Sequence, residues 1–320
     1  MMNLRFVVWM SLAGVMVIGA GVVSGQDYPN KPIRIIASAP GGGTDFTSRQ
    51  IAQGISGILG QPIIVDNRST GILAAEAVAK APPDGYTLNV SGSTLWILPL
   101  LHKMPYDVTR DFSPISLLVK EIYVVAVHPS LPVKTVKELI ALAKAKPGIL
   151  NYSSGSIGGS GHLAVELFAS MAGIKMVHIP YKGTALAVSA LISGEVQLLL
   201  NDAGTMMPHV KPGKLRALAV ASAEPSALTP GLPTVAASGV PGYEWAGVSV
   251  ILAPAKTPGA IINRLNQEIV RVFNTADVKE RFFNAGQEVV GSSPEELAAV
   301  IKSDMAKLGK LIKDAGIKAN

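Results

Sequence analysis

Residues 33–59 read IRIIASAPGGGTDFTSRQIAQGISGIL and join an apolar run, a glycine cluster and an amphipathic segment. Ile33–Ala39 predicts a buried strand, and Phe46–Leu59 predicts a helix because its apolar residues recur at helical spacing. A related pattern, NYSSGSIGGSGHLAVELFASMA, occupies residues 151–172. The chain therefore contains two similar halves, each with a strand, a glycine-rich loop and a helix, and this arrangement is typical of α/β proteins.

The composition sets the broad class of the protein. A chain of 320 residues is long enough for about two domains. Its hydrophobic content of 48% allows a sizeable core and argues against disorder. The net charge of +6 comes from scattered basic residues, which argues against a nucleic-acid face. The absence of cysteine excludes disulfides, thiolate metal sites and a cysteine nucleophile.

The N-terminus has the pattern of an export signal. Arg5 precedes an apolar run, residues 6–23, which ends in Val23-Ser24-Gly25. A permanent membrane anchor is the alternative, but the run is at the short limit for a span. The small residues at its exit favour cleavage between Gly25 and Gln26. We therefore expect residues 1–25 to be a signal peptide and the mature protein to be soluble and exported.

The first glycine-rich loop is Pro40-Gly41-Gly42-Gly43-Thr44-Asp45. Its glycines let the backbone approach a ligand closely, and Thr44 or Asp45 could cap the following helix. The free amides of the first helical turn, together with the helix dipole, favour an anion such as a carboxylate. A tight turn without a ligand is the alternative, and this loop alone leaves both open.

The second loop, Ser153 to His162, repeats this pattern and adds four serines. Serine hydroxyls donate and accept hydrogen bonds, so they suit an oxygen-rich ligand. Ser160 is predicted to cap a helix that begins at His162. A flexible surface loop is the alternative. A third helix start, at Lys182-Gly183-Thr184, is a further candidate, and together these loops suggest anion-binding helix ends that face each other across a cleft.

Motifs for catalysis are missing from the sequence. It contains no Gly-x-Ser-x-Gly elbow, no phosphate-binding Walker A motif and no dinucleotide fingerprint. His162 and Glu166 share a helix face, but two ligands do not make a zinc site, so a helix-end role for His162 is favoured. His178 is interpreted as a core or cleft-edge residue. Asp202 follows a predicted strand and is either a cleft residue or a helix N-cap. We expect no catalytic residue, metal or cofactor.

Several motifs resemble one known family, the tripartite tricarboxylate transporter substrate-binding proteins of the Bug or TctC type. They occur in the family's order and extend over about residues 27–318. The motifs are Tyr28-Pro-Asn-Lys-Pro-Ile-Arg34, the Pro-Gly-Gly-Gly-Thr-Asp loop, Gly60-Gln61-Pro62, Asn67-Arg68, Pro83-Asp84-Gly85-Tyr86-Thr87-Leu88, Pro105-Tyr106-Asp107, Leu150-Asn151-Tyr152-Ser153, His178-Ile-Pro-Tyr-Lys-Gly183, Gly213-Lys214-Leu215-Arg216 and Ala253-Pro254.

The resemblance implies a periplasmic, two-lobed α/β binding protein that closes on its ligand like a flytrap. Lobe 1 would hold residues 27–127 plus 249–320, and lobe 2 would hold residues 128–248. Each lobe would be a mixed sheet flanked by helices. The ligand would be a small carboxylate held by backbone amides, hydroxyls and waters. The expected ligand-binding residues are Pro40, Gly41, Gly42, Gly43, Thr44, Asp45, Ser93, Thr94, Ser154, Gly158, Ser160, His162, Thr184 and Asp202.

Two departures from the family pattern affect the expected pocket. The segment Ser69–Ala74 is shorter and poorer in glycine than the corresponding family stretch. Val248 stands where many relatives carry tryptophan, and the nearest tryptophan is Trp245. Trp96 could compensate or could serve only in packing.

The sequence thus predicts a monomeric extracytoplasmic receptor that delivers a carboxylate to membrane permease subunits. One alternative is a receptor that signals to a sensor kinase. Another is a hydrolase or isomerase on the same fold with Asp202 or His162 as base, which is disfavoured because no nucleophile–base pair can be assigned.

Overall fold

The computed structural model describes residues 28–38, 40 and 43–314. The strands in these ranges are β1 (Ile33–Ala37), β2 (Ile63–Asn67), β3 (Thr87–Gly92), β4 (Phe112–Val127), β5 (Asn151–Ser154), β6 (Val177–Pro180), β7 (Leu198–Asp202), β8 (Arg216–Val220), β9 (Ala246–Pro254) and β10 (Gln287–Val289). The helices are α1 (Gly43–Leu59), α2 (Gly71–Ala79), α3 (Thr94–Ile97), α4 (Val108–Asp111), α5 (Val136–Ala145), α6 (Ser160–Ala172), α7 (Thr184–Ser193), α8 (Ala203–Val210), α9 (Gly259–Phe273), α10 (Ala276–Asn284) and α11 (Pro294–Asp314). The expected signal peptide lies outside the described residues, and none of these helices is both long and apolar enough to cross a membrane.

The strands follow the order β2-β1-β3-β9-β4-β7-β5-β6, with β8 and β10 also paired to β4. On one side β1 lies parallel to β2 and β3, and β3 pairs antiparallel with β9. On the other side β5 lies parallel to β6 and β7. Both halves are mixed sheets flanked by helices, and the antiparallel pair β9–β4 joins them. The predicted two-lobed α/β fold is confirmed.

β4 connects the two halves because it changes partners along its length. Its first part pairs with β9 up to Ile122, which lies opposite Ala246. From Tyr123 onward its partners are β7 and β8. The apolar run Ile122–His128 predicts only this second part, because polar residues within 113–121 interrupt the pattern before it. The lobe boundaries expected near His128 and Ser249 stay predictions.

The helices α1 and α6 begin earlier than the sequence pattern predicts. α1 begins at Gly43 rather than at Phe46, so Thr44 and Asp45 lie within its first turn and the predicted cap by either residue is wrong. α6 begins at Ser160, and its N-cap is Gly159, which makes no side-chain cap. Ser160 is therefore the first helical residue, and the predicted Ser160 cap is wrong. α2 begins at Gly71 because the Thr70 side chain accepts a hydrogen bond from the backbone amide of Leu73 at 3.3 Å. The segment that departs from the family pattern thus forms a capped helix start.

Glycines allow neighbouring elements to pack closely at two places in the fold. α1 and α9 pack tightly because a Cβ on Gly54 would overlap the Val272 side chain. At the start of α8, a Cβ on Gly204 would lie 2.6 Å from the carbonyl oxygen of Ala285. Gly286 takes a φ of 78° and lies directly against Gly204. The second contact connects the β7–β8 half of the sheet to the turn that precedes β10.

Candidate functional site

The first glycine-rich loop brings the N-terminus of α1 to the cleft. Gly43 begins the helix, and the hydroxyl oxygens of Thr44 and Ser38 lie 2.6 Å apart in a hydrogen bond. Both Gly43 and Thr44 line a cavity between the two halves of the sheet. Pro40 is exposed, and residues 41–42 lie outside the described residues.

The buried side chain of Asp45 holds the start of α1 in place. Its Oδ1 accepts a hydrogen bond from Asn67 Nδ2 at 3.0 Å. Arg49 Nη2 lies 3.0 Å from the same oxygen. Asn67 Nδ2 also donates to the carbonyl oxygen of Ser38 at 2.7 Å. Asp45 therefore fastens the first turn of α1 to β1 and β2, which positions the helix N-terminus.

The second loop is braced by its own side chains. Ser154 Oγ donates to the carbonyl oxygen of Ser156 at 2.9 Å, so its oxygen accepts from Nε2–H of His178 at 2.7 Å. The amide of Gly158 donates to Nδ1 of His162 at 2.9 Å. Gly158 takes a φ of 71°, a conformation that disfavours side chains. These bonds fix the loop between β5 and α6.

Three rings stack beneath this loop. His162 and His178 lie 3.9 Å apart between ring centroids, and Tyr152 stacks on His178 at 4.8 Å. The Tyr152 hydroxyl donates to Glu166. Burial lowers the pKa of His162 to about 4, and burial together with the neighbouring His162 lowers the pKa of His178 to about 4. Both histidines are therefore neutral near pH 7 and supply no positive charge to the cleft.

The N-terminus of α7 meets the same loop. The amide of Gly183 donates to the carbonyl oxygen of Gly155 at 2.8 Å. A Cβ on Gly155 would lie 2.8 Å from the backbone nitrogen of Thr184, so glycine permits this close approach. The beginnings of α6 and α7 consequently open into one cavity.

Two adjoining cavities occupy the cleft. The first, of about 250 Å³, lies among the second loop, the start of α7 and β7. The second, of about 180 Å³, lies among the start of α1, the β3–α3 turn and β9. Thr94 and Ser160 line both, and Ser93 lines the second. Neither cavity has a lysine or arginine among its described lining residues. The amides and dipoles of three helix N-termini supply positive potential to the cleft.

Asp202 is a helix cap. Its Oδ1 accepts from the amide of Thr205 and its Oδ2 from the Thr205 hydroxyl, both at 2.8 Å. The residue before it, Asn201, lines the first cavity. Asn201 Nδ2 is buried and has no hydrogen-bond partner within the described part of the chain. The sequence interpretation passed over Asn201, although a polar residue at the end of an apolar strand could have indicated it.

Glu121 is a second residue that the sequence interpretation missed. It lies on β4 and lines the second cavity. Oε1 accepts a hydrogen bond from Gln287 Nε2 at 3.3 Å. Burial, and then the charge of Asp202, raise the pKa of Glu121 to about 7. The one signal in the sequence is that Glu121 is a charged residue within a mostly apolar strand segment.

The tryptophans take separate positions. The indole N–H of Trp245 donates to Ser160 Oγ at 3.0 Å, beside the cleft. Trp96 is buried and donates to Asp304 Oδ2 at 3.3 Å on α11. Trp96 therefore belongs to packing at α11, whereas Val248 lines the second cavity.

The fold and the cleft define a two-lobed solute-binding protein of the periplasmic type. Residues 47–317 match the family described as "Tripartite tricarboxylate transporter family receptor". Protein BugT of Bordetella pertussis is 32% identical over 318 residues, which are 97% of this chain and 98% of BugT. The chain belongs to the tripartite tricarboxylate transporter receptor family, as the motif resemblance predicts.

Solved structures of relatives carry small carboxylates. Rpa4515 of R. palustris, solved with adipate, is 33% identical, has a TM-score of 0.80 and is matched over 91% of this chain and 99% of its own. MatC (Rpa3494) from Rhodopseudomonas palustris, solved with bound malate, is 27% identical. Its TM-score is 0.76, with 89% of this chain and 100% of MatC covered. The fold thus holds acids of different length in these two relatives.

Proposed function

We propose that this chain is an extracytoplasmic receptor that captures a small carboxylate between its lobes and delivers it to a tripartite tricarboxylate-type membrane transporter. The observation that carries the proposal is the meeting of three helix N-termini, those of α1, α6 and α7, at one cleft without a lysine or arginine in its described walls. Backbone amides stabilise an anion there by charge-assisted hydrogen bonds of about 1.5–3 kcal/mol each. The adipate and malate of the relatives support this ligand class.

Ligand capture in this proposal is a closure of the two lobes. Strand β4 runs from one half of the sheet into the other, so bending near Ile122 and Tyr123 would bring α1 towards α6 and α7. The first turn of each helix supplies amides, and Thr94, Ser160 and Thr184 supply hydroxyls. The mature protein acts as a periplasmic monomer after cleavage at Gly25, and permease subunits recognise its closed form.

The proposal is one of binding without catalysis. The two candidate bases are occupied by structural hydrogen bonds, since Asp202 caps α8 and His162 Nδ1 accepts from Gly158. Neutral His162 has no second ring lone pair with which to remove a proton, and both carboxylate oxygens of Asp202 are engaged by Thr205 at the start of α8. These bonds therefore support a receptor over a hydrolase or isomerase.

Isothermal titration of natively purified protein against a panel of mono-, di- and tricarboxylates tests the proposal. We expect at least one acid to bind, and Asn201→Asp to weaken its affinity by about tenfold or more because the new negative charge in the first cavity repels the ligand carboxylate. Asn263→Asp, which adds the same charge on the exposed face of α9, is the control and should leave affinity unchanged. Failure of every acid to bind the wild-type protein would overturn the proposal.

A further inference from the structure

We propose that Glu121 is a specificity-determining residue, which accepts a hydrogen bond from a donor group, a hydroxyl or an ammonium, carried by the captured carboxylate. The inference rests on the proposed function and narrows its ligand class. The cleft would select acids with such a substituent over the unsubstituted parent acids.

The position of Glu121 keeps its carboxyl group open to the second cavity. Its Oε1 lies 3.4 Å from where a Cβ on Gly43 would be, and a Cβ on Gly247 would overlap Oε2. The two glycines therefore leave room for the carboxyl group at the N-terminus of α1. The one hydrogen bond found for it within the described residues is the 3.3 Å bond from Gln287. A carboxylate accepts several hydrogen bonds, so acceptor capacity remains.

A second acceptor lies beside it. Gln287 donates through Nε2 to Glu121, while its own Oε1 is buried and has no hydrogen-bond partner among the described residues. Gln287 does not line the second cavity, so Glu121 is the acceptor that a donor group on the ligand can reach there.

The charges around the second cavity favour the same ligand. Asp202 is close enough to influence Glu121, and no lysine or arginine lines the cavity in the described part of the chain. A plain carboxylate placed against Glu121 would be repelled when Glu121 is ionised. An ammonium would be attracted, and a hydroxyl would donate without charge repulsion.

The two cavities accordingly have different chemistry. The first has the buried donor of Asn201 and the N-termini of α6 and α7, which suit the ligand carboxylate. The second adds an acidic acceptor to the N-terminus of α1. Thr94 and Ser160 line both, so one small ligand could extend from one cavity into the other.

Matched acids of one skeleton test the inference on the wild-type protein. Succinate, malate and aspartate differ only by hydrogen, hydroxyl or ammonium at one carbon, and adipate, 2-hydroxyadipate and 2-aminoadipate repeat the comparison at greater length. Isothermal titration should show substituted acids binding about tenfold or more tighter than their parent. The hydroxyl and ammonium arms identify which donor is used.

Variants then assign the preference to this side chain. Glu121→Gln should reduce the preference to about threefold or less. Glu288→Gln is the matched control, because Glu288 lies on β10, accepts a hydrogen bond from Ser226 and lines neither cavity. Equal or tighter binding of parent acids by the wild-type protein overturns the inference but leaves the receptor function intact. An unchanged preference in a folded Glu121→Gln variant does the same. Failure of all acids to bind overturns the receptor function as well.

Discussion

The indole of Trp245 donates a hydrogen bond to the hydroxyl of Ser160, and the two atoms lie 3.0 Å apart. Ser160 is the first residue of α6 and lines both cavities, while Trp245 stands directly before β9. The pair therefore links the strand that joins the lobes to a helix N-terminus at the cleft.

Ligand binding is expected to change the fluorescence of Trp245, because closure alters the surroundings of its indole. Trp245→Phe should remove most of this change, and Trp96→Phe, whose indole bonds to Asp304, should keep it. The measurement is the tryptophan fluorescence of both variants during titration with an acid that binds the wild-type protein. A signal that follows Trp96 would contradict the assignment.

Glu121 is expected to destabilise the folded protein at alkaline pH. Its pKa is raised from 4.5 to about 7, so the folded state retains a proton that the unfolded state releases. The stability from this group is complete below pH 4.5 and is lost as the pH rises to 7. Glu121→Gln should therefore raise the free energy of unfolding at pH 8 by on the order of 2 kcal/mol, with little effect at pH 4.5. Urea unfolding at both pH values measures this, and equal stabilities at pH 8 would refute it.

The stacked histidines are expected to make the protein sensitive to acid. Burial lowers the pKa of His162 and of His178 from 6.5 to about 4, so below pH 6.5 the unfolded state binds more protons. Stability should be unaffected above pH 6.5 and should decrease as the pH falls towards 4. His162→Gln should flatten this decrease by on the order of 2 kcal/mol at pH 5. Chemical unfolding across this range, with His102→Gln as the matched control, tests the prediction.

The contact between Gly204 and Gly286 gives a prediction on backbone packing. Gly286→Ala puts a Cβ into the backbone of Gly204 and also strains a positive φ. Gly231→Ala strains a similar φ of 84° but meets nothing within 4 Å. Gly286→Ala should cost about 2 kcal/mol or more of stability, and Gly231→Ala about 1 kcal/mol. Equal losses in urea unfolding would show that the contact adds nothing.

The sequence predicted those elements whose conformation depends mainly on neighbouring residues. The helices that follow the two glycine clusters form where the apolar spacing predicts them, although they begin three and two residues earlier, at Gly43 and Ser160. The choice between alternatives at Asp202 needed the structure, because only the Thr205 contact distinguishes a cap from a cleft residue.

The features that the sequence did not predict depend on pairing between strands that are far apart in the chain. The first part of β4 contains proline and charged residues, and its strand conformation comes from partners on β9 and β10. Glu121 and Asn201 face the cleft only because these strands lie together. The spacing of residues along the chain does not show which side chains of paired strands face a cleft. The sequence therefore did not predict that Glu121 and Asn201 line the cavities.

The pairing of β4 with β9 has a consequence for how the chain reaches its native state. Ile122 must find Ala246, and the entire segment 123–245 lies between them. Contacts of such sequence separation form slowly, because the entropy of closing a long loop is lost before the contact is gained. A chain synthesised from its N-terminus thus cannot complete the β3–β9–β4 part of its sheet until most of it has been made.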